Sequence, residues 1–349
     1  MQNPLSSTYQ EQLIAYYHTN YTDCPKDTRI LATPQSVTYS CHTLLILLFP
    51  LYVFTGFVIL KKTPKAMGST KWVLLNCYFW SCTMDILVCF LITPFFFFPT
   101  LSGSTIGLFR QFGVPTSTQM YLGVSTLTCL SYSMVFIFEN RKHYLNFHGT
   151  ETKLVRRLAF HLANFVIAVI LAVPIYLNFI DTDLGRLKIL SIIPCPHEEF
   201  FSSSVFVVTA DTFWNYYFFG CLVFFLVLVL GEILYFAGHC VYELYGSNYA
   251  MSPMTLQLQR DFLIGSILQI SIPYAFLIIP TLIVSYTFAF GVYDHVINNL
   301  ATITFSFHGL TATVTMLYVH KPYRLFLVSL FIKPRSNNIV QCSDSLSTQ

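Results

Sequence analysis

Residues 116–138 contain no Asp, Glu, Lys or Arg. As an α-helix this stretch would be about 34 Å long, which is enough to cross a bilayer with some tilt. One face of that helix would carry mostly small or polar residues, namely Gln119, Gly123, Thr126, Leu130 and Ser133. Because small side chains allow helix backbones to approach closely in lipid, we predict that this stretch is the central helix of a membrane bundle.

Long apolar stretches recur along the whole chain. It has 349 residues, of which 54% are hydrophobic and 10% are charged, whereas about 25% of the residues in a soluble domain are charged. Six further stretches are long enough to span a bilayer, at residues 37–60, 72–97, 158–180, 213–238, 262–286 and 296–319. The second span, 72–97, is expected to be broken near Pro94 and Pro99. The sequence therefore predicts an all-α membrane protein, a bundle of seven transmembrane helices.

The segments outside these spans complete the predicted organisation. Residues 1–34 form a polar tail, residues 35–325 form the seven-span domain, and residues 326–349 form a juxtamembrane segment and C-terminal tail. Residues 325–332 are apolar enough to form a short amphipathic helix on the membrane surface. We expect loops at residues 99–115, 141–157, 181–212 and 242–260.

The basic residues predict the orientation of the chain in the membrane. With the N-terminal tail outside, the outer segments hold five basic residues, and the other 14 of the 19 lie inside. The outer five are Lys26, Arg29, Arg110, Arg186 and Lys188. Because cytoplasmic loops carry an excess of Lys and Arg, we predict an outside N-terminus and an inside C-terminus.

Two modifications are expected on the predicted outer side. Asn20-Tyr21-Thr22 is an N-glycosylation sequon, so Asn20 is a candidate glycosylation site. Cys24 and Cys195 are the two cysteines in the predicted outer segments. Because thiols oxidise outside the cell, we predict a disulfide between them, with free thiols or intermolecular pairing as the alternatives.

Asp85 is an acid near the middle of the second span. A carboxylate at this depth costs a few kcal/mol unless it is paired or hydrated, about 3 kcal/mol on insertion scales. It is either an internal polar site, hydrated or holding a cation, or a hydrogen-bonded packing residue. Its expected partners are Ser306 or His308 of the seventh span, although His308 alone would more often be a buried packing histidine.

Pro273 and Pro280 fall inside the sixth span. Each proline would remove one helical hydrogen bond and allow the helix to bend. Proline is also more frequent in membrane helices than in soluble ones. The two residues therefore indicate either a bent, movable sixth helix or an ordinary membrane helix.

Short motifs occur in a fixed order along nearly the whole chain. The second span carries Trp80, Ser81, Asp85, Pro94, Pro99 and Gly103, and the third begins with GVPTSTQMYLG at residues 113–123 and ends with FENR at residues 138–141. There follow IPCP at residues 193–196, Ala210-Asp211, Gln269 with Ile272-Pro273, His308-Gly309 and HKPYR at residues 320–324. In this order the chain resembles nematode serpentine receptors of class H, a chemoreceptor family of seven-transmembrane G-protein-coupled receptors.

The resemblance implies a receptor in the plasma membrane of sensory neurons that binds an external chemical cue and activates a heterotrimeric G protein. On that basis Glu139, Asn140 and Arg141 are expected to face the G protein. Helical spacing brings Glu139 towards Lys142 and His143, which leaves Arg141 free to bind a partner peptide or, as the alternative, to contact lipid headgroups. The chain differs from the rhodopsin-like pattern, since it lacks Asn-Pro-x-x-Tyr in the seventh span and a cysteine at the outer end of the third.

The ligand class is suggested by Gln119 and Tyr121 in the outer half of the third span, where there is no Asp or Glu. A small amine in a pocket of low dielectric constant needs a nearby anion. We therefore expect a neutral or weakly polar small ligand in an aromatic pocket. The sequence shows no metal-ligand, cofactor or phosphate-binding motif, and no basic stripe that would bind nucleic acid.

Three other functions are weighed against the receptor. The first is a ligand-gated cation channel of chemoreceptor type, but insect odorant receptors, which are such channels, have an inside N-terminus. A transporter would favour paired halves and charges along a path, and no convincing internal repeat is present. An intramembrane enzyme would need a second acid, a His pair or a nucleophile with its base beside Asp85.

Overall fold

The computed structural model describes residues 4–63, 70–145, 151–170, 173, 182–201, 205–209, 211–246 and 252–331. The helices in the seven predicted spans are, in order, Pro34–Lys62, Thr70–Ile86, Thr116–Leu145, Glu151–Ile170, Thr212–Gly246, Pro253–Phe290 and the pair His295–Ser306 and His308–Val319. Among the described residues, six helices are long and apolar enough to cross a membrane. The fourth span is not one of these six, and most of its predicted second half lies outside the described residues.

Polar residues fix the ends of several spans. The Thr33 hydroxyl accepts a hydrogen bond from the Ser36 amide and caps the first span. Ser252 caps the sixth span in the same way, and Asp294 caps the seventh. These caps satisfy amide groups that have no partner inside the helix. Gly291 ends the sixth span with a φ of 62°, in the left-handed region that glycine adopts without strain.

Two predicted loops are largely helical. The third span continues to Leu145 and the fourth begins at Glu151, so the expected loop at residues 141–157 is wrong over most of its length. Likewise, the fifth span continues to Gly246 and the sixth begins at Pro253. Hydropathy marks only the hydrocarbon layer, whereas a helix can continue through the headgroup region.

The end of the bundle that carries the tail, here called the tail end, contains a small antiparallel sheet. Its strands are β1 (Pro94–Phe96), β2 (Leu101–Thr105) and β3 (Val205–Thr209), in the order β1-β2-β3. The predicted second span was too long, because its helix ends in a π-helical turn at Leu87–Leu91 before β1. The Val-rich β3 suits a buried strand, and all five of its residues are buried.

Helices also form in the other segments around the bundle. The predicted polar tail contains the tail helix, Pro4–Thr19. The predicted loop at residues 181–212 contains the loop helix, Thr182–Leu190, and a 3₁₀ turn at Glu198–Phe201. The surface helix, Lys321–Phe331, follows the seventh span. It packs on the first span, where the Lys62 ammonium lies 4.4 Å from the centre of the Phe326 ring.

The third span is central in the bundle. It packs against the second, fourth, fifth and sixth spans. Leu130, Met134 and Phe138 of this helix belong to the main hydrophobic core. Gly123 faces the end of the second span, where an added Cβ would be in ordinary contact with the Ile92 side chain at 3.7 Å. The small-residue face predicted from the sequence therefore lies against a neighbouring helix.

Candidate functional site

Glu139 lies at the end of the bundle opposite the tail, here called the far end, and is paired with the fourth span. The Arg157 Nε atom donates hydrogen bonds to both Glu139 carboxylate oxygens, at 2.9 and 3.0 Å. His161 Nε2 lies 3.1 Å from Glu139 Oε2. The expected contacts of Glu139 with Lys142 and His143 are therefore wrong, because the fourth span brings a guanidinium closer. Lys142 instead donates to the hydroxyl of Tyr235 on the fifth span.

Asn140 and Arg141 complete this cluster and point to different helices. The Asn140 side-chain oxygen accepts a hydrogen bond from Arg157 at 2.9 Å. Arg141 turns to the sixth span, where its Nη2 donates to the Gln259 backbone oxygen at 3.0 Å and also contacts the Gln259 side-chain oxygen. Its guanidinium carbon lies 4.6 Å from the centre of the Phe262 ring. Arg141 is thus buried and hydrogen-bonded to Gln259, rather than free.

Asp85 occupies the interior of the bundle and is hydrogen-bonded to the first span. The Tyr52 hydroxyl donates to Asp85 Oδ2 at 2.7 Å. His308 Nδ1 lies 3.9 Å from Asp85 Oδ1, which is too long for a hydrogen bond. The Ser306 hydroxyl donates to the Ile303 backbone oxygen of its own helix. The structure therefore brings His308, but not the Ser306 hydroxyl, towards the carboxylate, and it adds Tyr52.

The seventh span is interrupted beside this carboxylate. Its two helical segments meet at Phe307, between Ser306 and His308. Gly309, which follows His308, lies directly against Asp85, since a Cβ built on it would be 1.5 Å from Asp85 Oδ2. A glycine is required there because any side chain would displace the carboxylate. Within the sixth span, Pro273 and Pro280 are both buried inside one continuous helix.

The N-terminal tail is fixed to the tail end of the bundle by a covalent bond and by several polar contacts. Cys24 and Cys195 form a disulfide, with their Cα atoms 5.5 Å apart. The Tyr16 hydroxyl donates to the Pro194 backbone oxygen at 2.9 Å. Arg29 donates to both carboxylate oxygens of Asp294, each at 3.0 Å, at the start of the seventh span.

Electrostatics at the tail end follow from these contacts. The hydrogen bond from Arg29 lowers the pKa of Asp27 to about 2. Burial alone would raise the pKa of Asp294, but the hydrogen bonds that it accepts from Arg29 and from Val296 lower it overall. Both carboxylates therefore stay ionised at neutral pH. Burial lowers the pKa of His197, and Glu199 and Glu198 oppose this only in part.

The remaining predicted residues lie at the tail end as well. Gln119 is buried, and its side-chain nitrogen donates to the Val114 backbone oxygen at 2.8 Å. Tyr121 is half-buried, and Asn20 is exposed. Among the described residues, no group of three or more His, Cys, Asp or Glu side chains is placed to hold a metal ion.

Comparison with known families bears directly on this architecture. Residues 32–333 match the model of the serpentine type 7TM GPCR chemoreceptor family Srh. The chain belongs to this family. The Srh chain is also similar to a curated protein of Caenorhabditis elegans, serpentine receptor class H-72, with 31% identity over 334 residues. That alignment covers 95% of the Srh chain and 96% of the relative.

A solved structure supports the fold. The Srh chain resembles the crystal structure of squid rhodopsin with a TM-score of 0.51, over 90% of this chain and 89% of the other. The sequence identity is 12%, so this similarity concerns the fold alone. The predicted seven-transmembrane bundle and the class H resemblance are thereby confirmed, and the Srh chain is a multi-pass membrane protein of a receptor family. The side of the membrane on which each end lies stays a prediction.

Several partners in the Srh chain were missed from its sequence. They include Arg157, Gln259 and Tyr52, which bind Glu139, Arg141 and Asp85, respectively. Arg157 could have been found, because the sequence places it on the same predicted inner side of the membrane as Glu139. Gln259 and Tyr52 carry no such signal, since neither residue is unusual in its own helix.

Proposed function

We propose that this chain is a chemosensory receptor of the plasma membrane of sensory neurons, which binds a small molecule and activates a heterotrimeric G protein. The tail end is then extracellular and the far end is cytoplasmic. The positive-inside bias supports this orientation. The division into residues 1–34, 35–325 and 326–349 follows as tail, receptor domain and cytoplasmic tail with its surface helix.

The contact between Arg141 and Gln259 carries the proposal. It joins the far ends of the third and sixth spans through a buried guanidinium. A movement of the sixth span would release this guanidinium into the space between the helices. There it could bind backbone oxygens of an inserted peptide, for which its fork of donors is well suited. Glu139 and Asn140 hold the adjacent helix turn against Arg157.

A ligand site in the outer half of the bundle is supported by buried polar atoms that have no hydrogen-bond partner. Among the described residues these include Gln119 Oε1, Thr93 Oγ1, Ser104 Oγ, Thr105 Oγ1 and Asn298 Oδ1. Leaving a buried polar atom unpaired costs about 1–3 kcal/mol. A neutral ligand with hydrogen-bond donors would satisfy such atoms, which agrees with the ligand class expected from Gln119 and Tyr121.

Other parts of the proposal concern the membrane and movement of the helices. The surface helix presents Lys321 and Arg324 beside apolar residues, so we assign it to the cytoplasmic lipid surface. Pro273 and Pro280 mark where the sixth span would bend. Asp85 and His308 form the internal polar site whose contacts would change between receptor states. Asn20 would carry a glycan.

The experiment is expression of the full chain in cultured cells with a second-messenger readout against a panel of small neutral molecules. Arg141→Lys is tested with the active molecule at matched surface expression. It should lose most signalling while ligand binding persists, because an ammonium cannot form the guanidinium fork. Arg324→Lys is the matched control, because Arg324 is exposed on the surface helix and needs only positive charge. Full signalling by Arg141→Lys would remove this residue from the mechanism.

A further inference from the structure

A cavity of about 360 Å³ lies at the tail end, between the tail helix and the turn Glu198–Phe201. The tail helix contributes Leu13, Ile14, Tyr17 and His18, and the turn contributes Glu198 and Phe201. Its volume falls within the range of small-molecule sites, about 300–1,000 Å³. The cavity is separate from the interior polar site at Asp85, and the family assignment gives it no role.

The walls of this cavity are aromatic. The Tyr17 ring meets the Phe201 ring edge to face, with centroids 5.0 Å apart. Tyr21 extends the aromatic surface by stacking on Tyr17 at 5.4 Å and by packing against Phe201 at 4.7 Å. Aromatic faces carry partial negative charge and attract organic cations.

One carboxylate in the cavity has no cationic partner among the described residues. The Tyr17 hydroxyl donates to Glu198 Oε1 at 3.2 Å, and this hydrogen bond raises the pKa of Tyr17. Among the described residues, Glu198 forms no ion pair, whereas its neighbour Glu199 binds Arg110 at 2.9 Å. The two adjacent glutamates therefore differ, since Arg110 neutralises Glu199 whereas Glu198 presents its charge to the cavity.

We propose that this cavity binds a small organic cation with an apolar body, such as a protonated or quaternary amine. The Glu198 carboxylate supplies the counter-charge, the Tyr17 and Phe201 rings contact the cationic head, and Leu13 and Ile14 cover the apolar part. Such a ligand would bridge the tail helix and the turn after Cys195. It would act as a second, outer ligand, distinct from the neutral ligand proposed for the bundle.

The tail contacts keep the two walls of the cavity together. The disulfide between Cys24 and Cys195 and the hydrogen bond from Tyr16 to Pro194 both join the tail to the segment just before Glu198. A site whose walls are already joined loses less entropy when a ligand binds. The cavity is therefore preorganised although it lies at the surface.

The test uses the purified full-length receptor in lipid nanodiscs, with benzyltrimethylammonium as the probe. Binding is followed by saturation-transfer NMR in a titration at low and high salt. We expect saturable binding that weakens with salt, because Glu198 is exposed to solvent. Glu198→Gln should weaken binding about three- to tenfold, and Phe201→Leu should weaken it by a similar factor. Glu199→Gln is the matched control and should bind as the unmodified chain does.

Three results would overturn the proposal. The first is the lack of saturable binding, and the second is an equal effect of Glu198→Gln and Glu199→Gln, which would indicate diffuse attraction by negative charge. Probe binding that is unaffected by both Glu198→Gln and Phe201→Leu would place the cation elsewhere and would also reject this site. None of these measurements involves signalling, so they leave the proposed G-protein coupling untouched.

Discussion

Arg141 of the third span donates a hydrogen bond to the backbone oxygen of Gln259, 3.0 Å away at the start of the sixth span. The Gln259 side-chain oxygen contacts the same guanidinium nitrogen. The far ends of the two helices are thus held together by one arginine. Under the proposed function, the inactive arrangement depends on this contact, and activation requires its release.

The first prediction is that Gln259→Ala raises basal signalling. Loss of the side-chain acceptor weakens the closed arrangement, whereas the backbone oxygen remains in place. A hydrogen bond to a charged group contributes about 1.5 kcal/mol or more, which corresponds to a shift of about tenfold or more. The measurement is ligand-free second-messenger level at matched surface expression. Gln257→Ala is the control, because Gln257 is exposed two residues earlier, and an equal rise in both variants would refute the role of Gln259.

The second prediction is that Gly309→Ala destabilises the receptor. An added Cβ would lie 1.5 Å from Asp85 Oδ2 and 2.6 Å from the Tyr52 hydroxyl, so the buried carboxylate must move. Such overpacking costs about 1–3 kcal/mol. Folded receptor remaining after a thermal challenge in detergent is the measurement. Gly231→Ala is the control, since no atom of the part of the chain that the structure describes lies within 4 Å of a Cβ at that position. Equal survival of the two variants would contradict the packing argument.

The third prediction concerns the disulfide between Cys24 and Cys195. Cys24→Ser, Cys195→Ser and the double variant should lose the same amount of thermal stability, because each removes the same bond. The expected loss is about 2–5 kcal/mol. Cys221→Ser, which changes a free thiol of the fifth span, should leave stability nearly unchanged. Intact mass spectrometry that finds Cys24 alkylated without reduction would exclude the bond.

The fourth prediction is a loss of stability at mildly acidic pH that depends on His197. Burial lowers the pKa of His197 in the folded chain, whereas an unfolded histidine titrates near about 6.5. Below that pH the unfolded chain binds a proton at this histidine, whereas the folded chain does not. The free energy of unfolding therefore falls as the pH falls, until the pKa of the folded chain is reached. Melting temperatures at pH 7.5 and 5.5 should differ less in His197→Phe. His18→Gln changes an exposed histidine and should keep the full difference.

The fifth prediction is a glycan on Asn20, which is exposed just after the tail helix. Treatment of the expressed receptor with a glycosidase should increase its mobility on a gel. Asn20→Gln should abolish that shift, and Thr22→Ser should retain it because serine also completes the sequon. An N-terminal tag that stains only in permeabilised cells would overturn the proposed orientation and with it the receptor function.

Much of the bundle could be predicted from the sequence because lipid imposes a simple rule. A helix without charges over residues 116–138 has few stable alternatives in a bilayer. The sheet was not predicted for the same reason, since Pro94–Phe96 continues the apolar run of the second span. Hydropathy cannot distinguish a buried strand from the end of a membrane helix. The second span was therefore extended through residues that form β1.

The partners in the site were less predictable, because helix spacing describes contacts within one helix only. Glu139 was assigned to Lys142 and His143 by that rule, but a residue of the fourth span occupies its carboxylate. Gln259 lies 118 residues after Arg141. Such contacts depend on how the helices are rotated and packed, and one sequence gives no measure of either. Cys24 and Cys195 were paired more easily, because few cysteines lie in polar segments.

The disulfide also turns part of the chain into a closed covalent ring. Residues 24–195 lie within it, including the first four spans, and the fifth, sixth and seventh spans lie outside. A single protease cut inside the ring leaves both fragments attached, and they separate only on reduction. A displacement of the sixth span therefore moves a helix that lies outside the ring, whereas a displacement of the second or third span moves a helix that lies inside it.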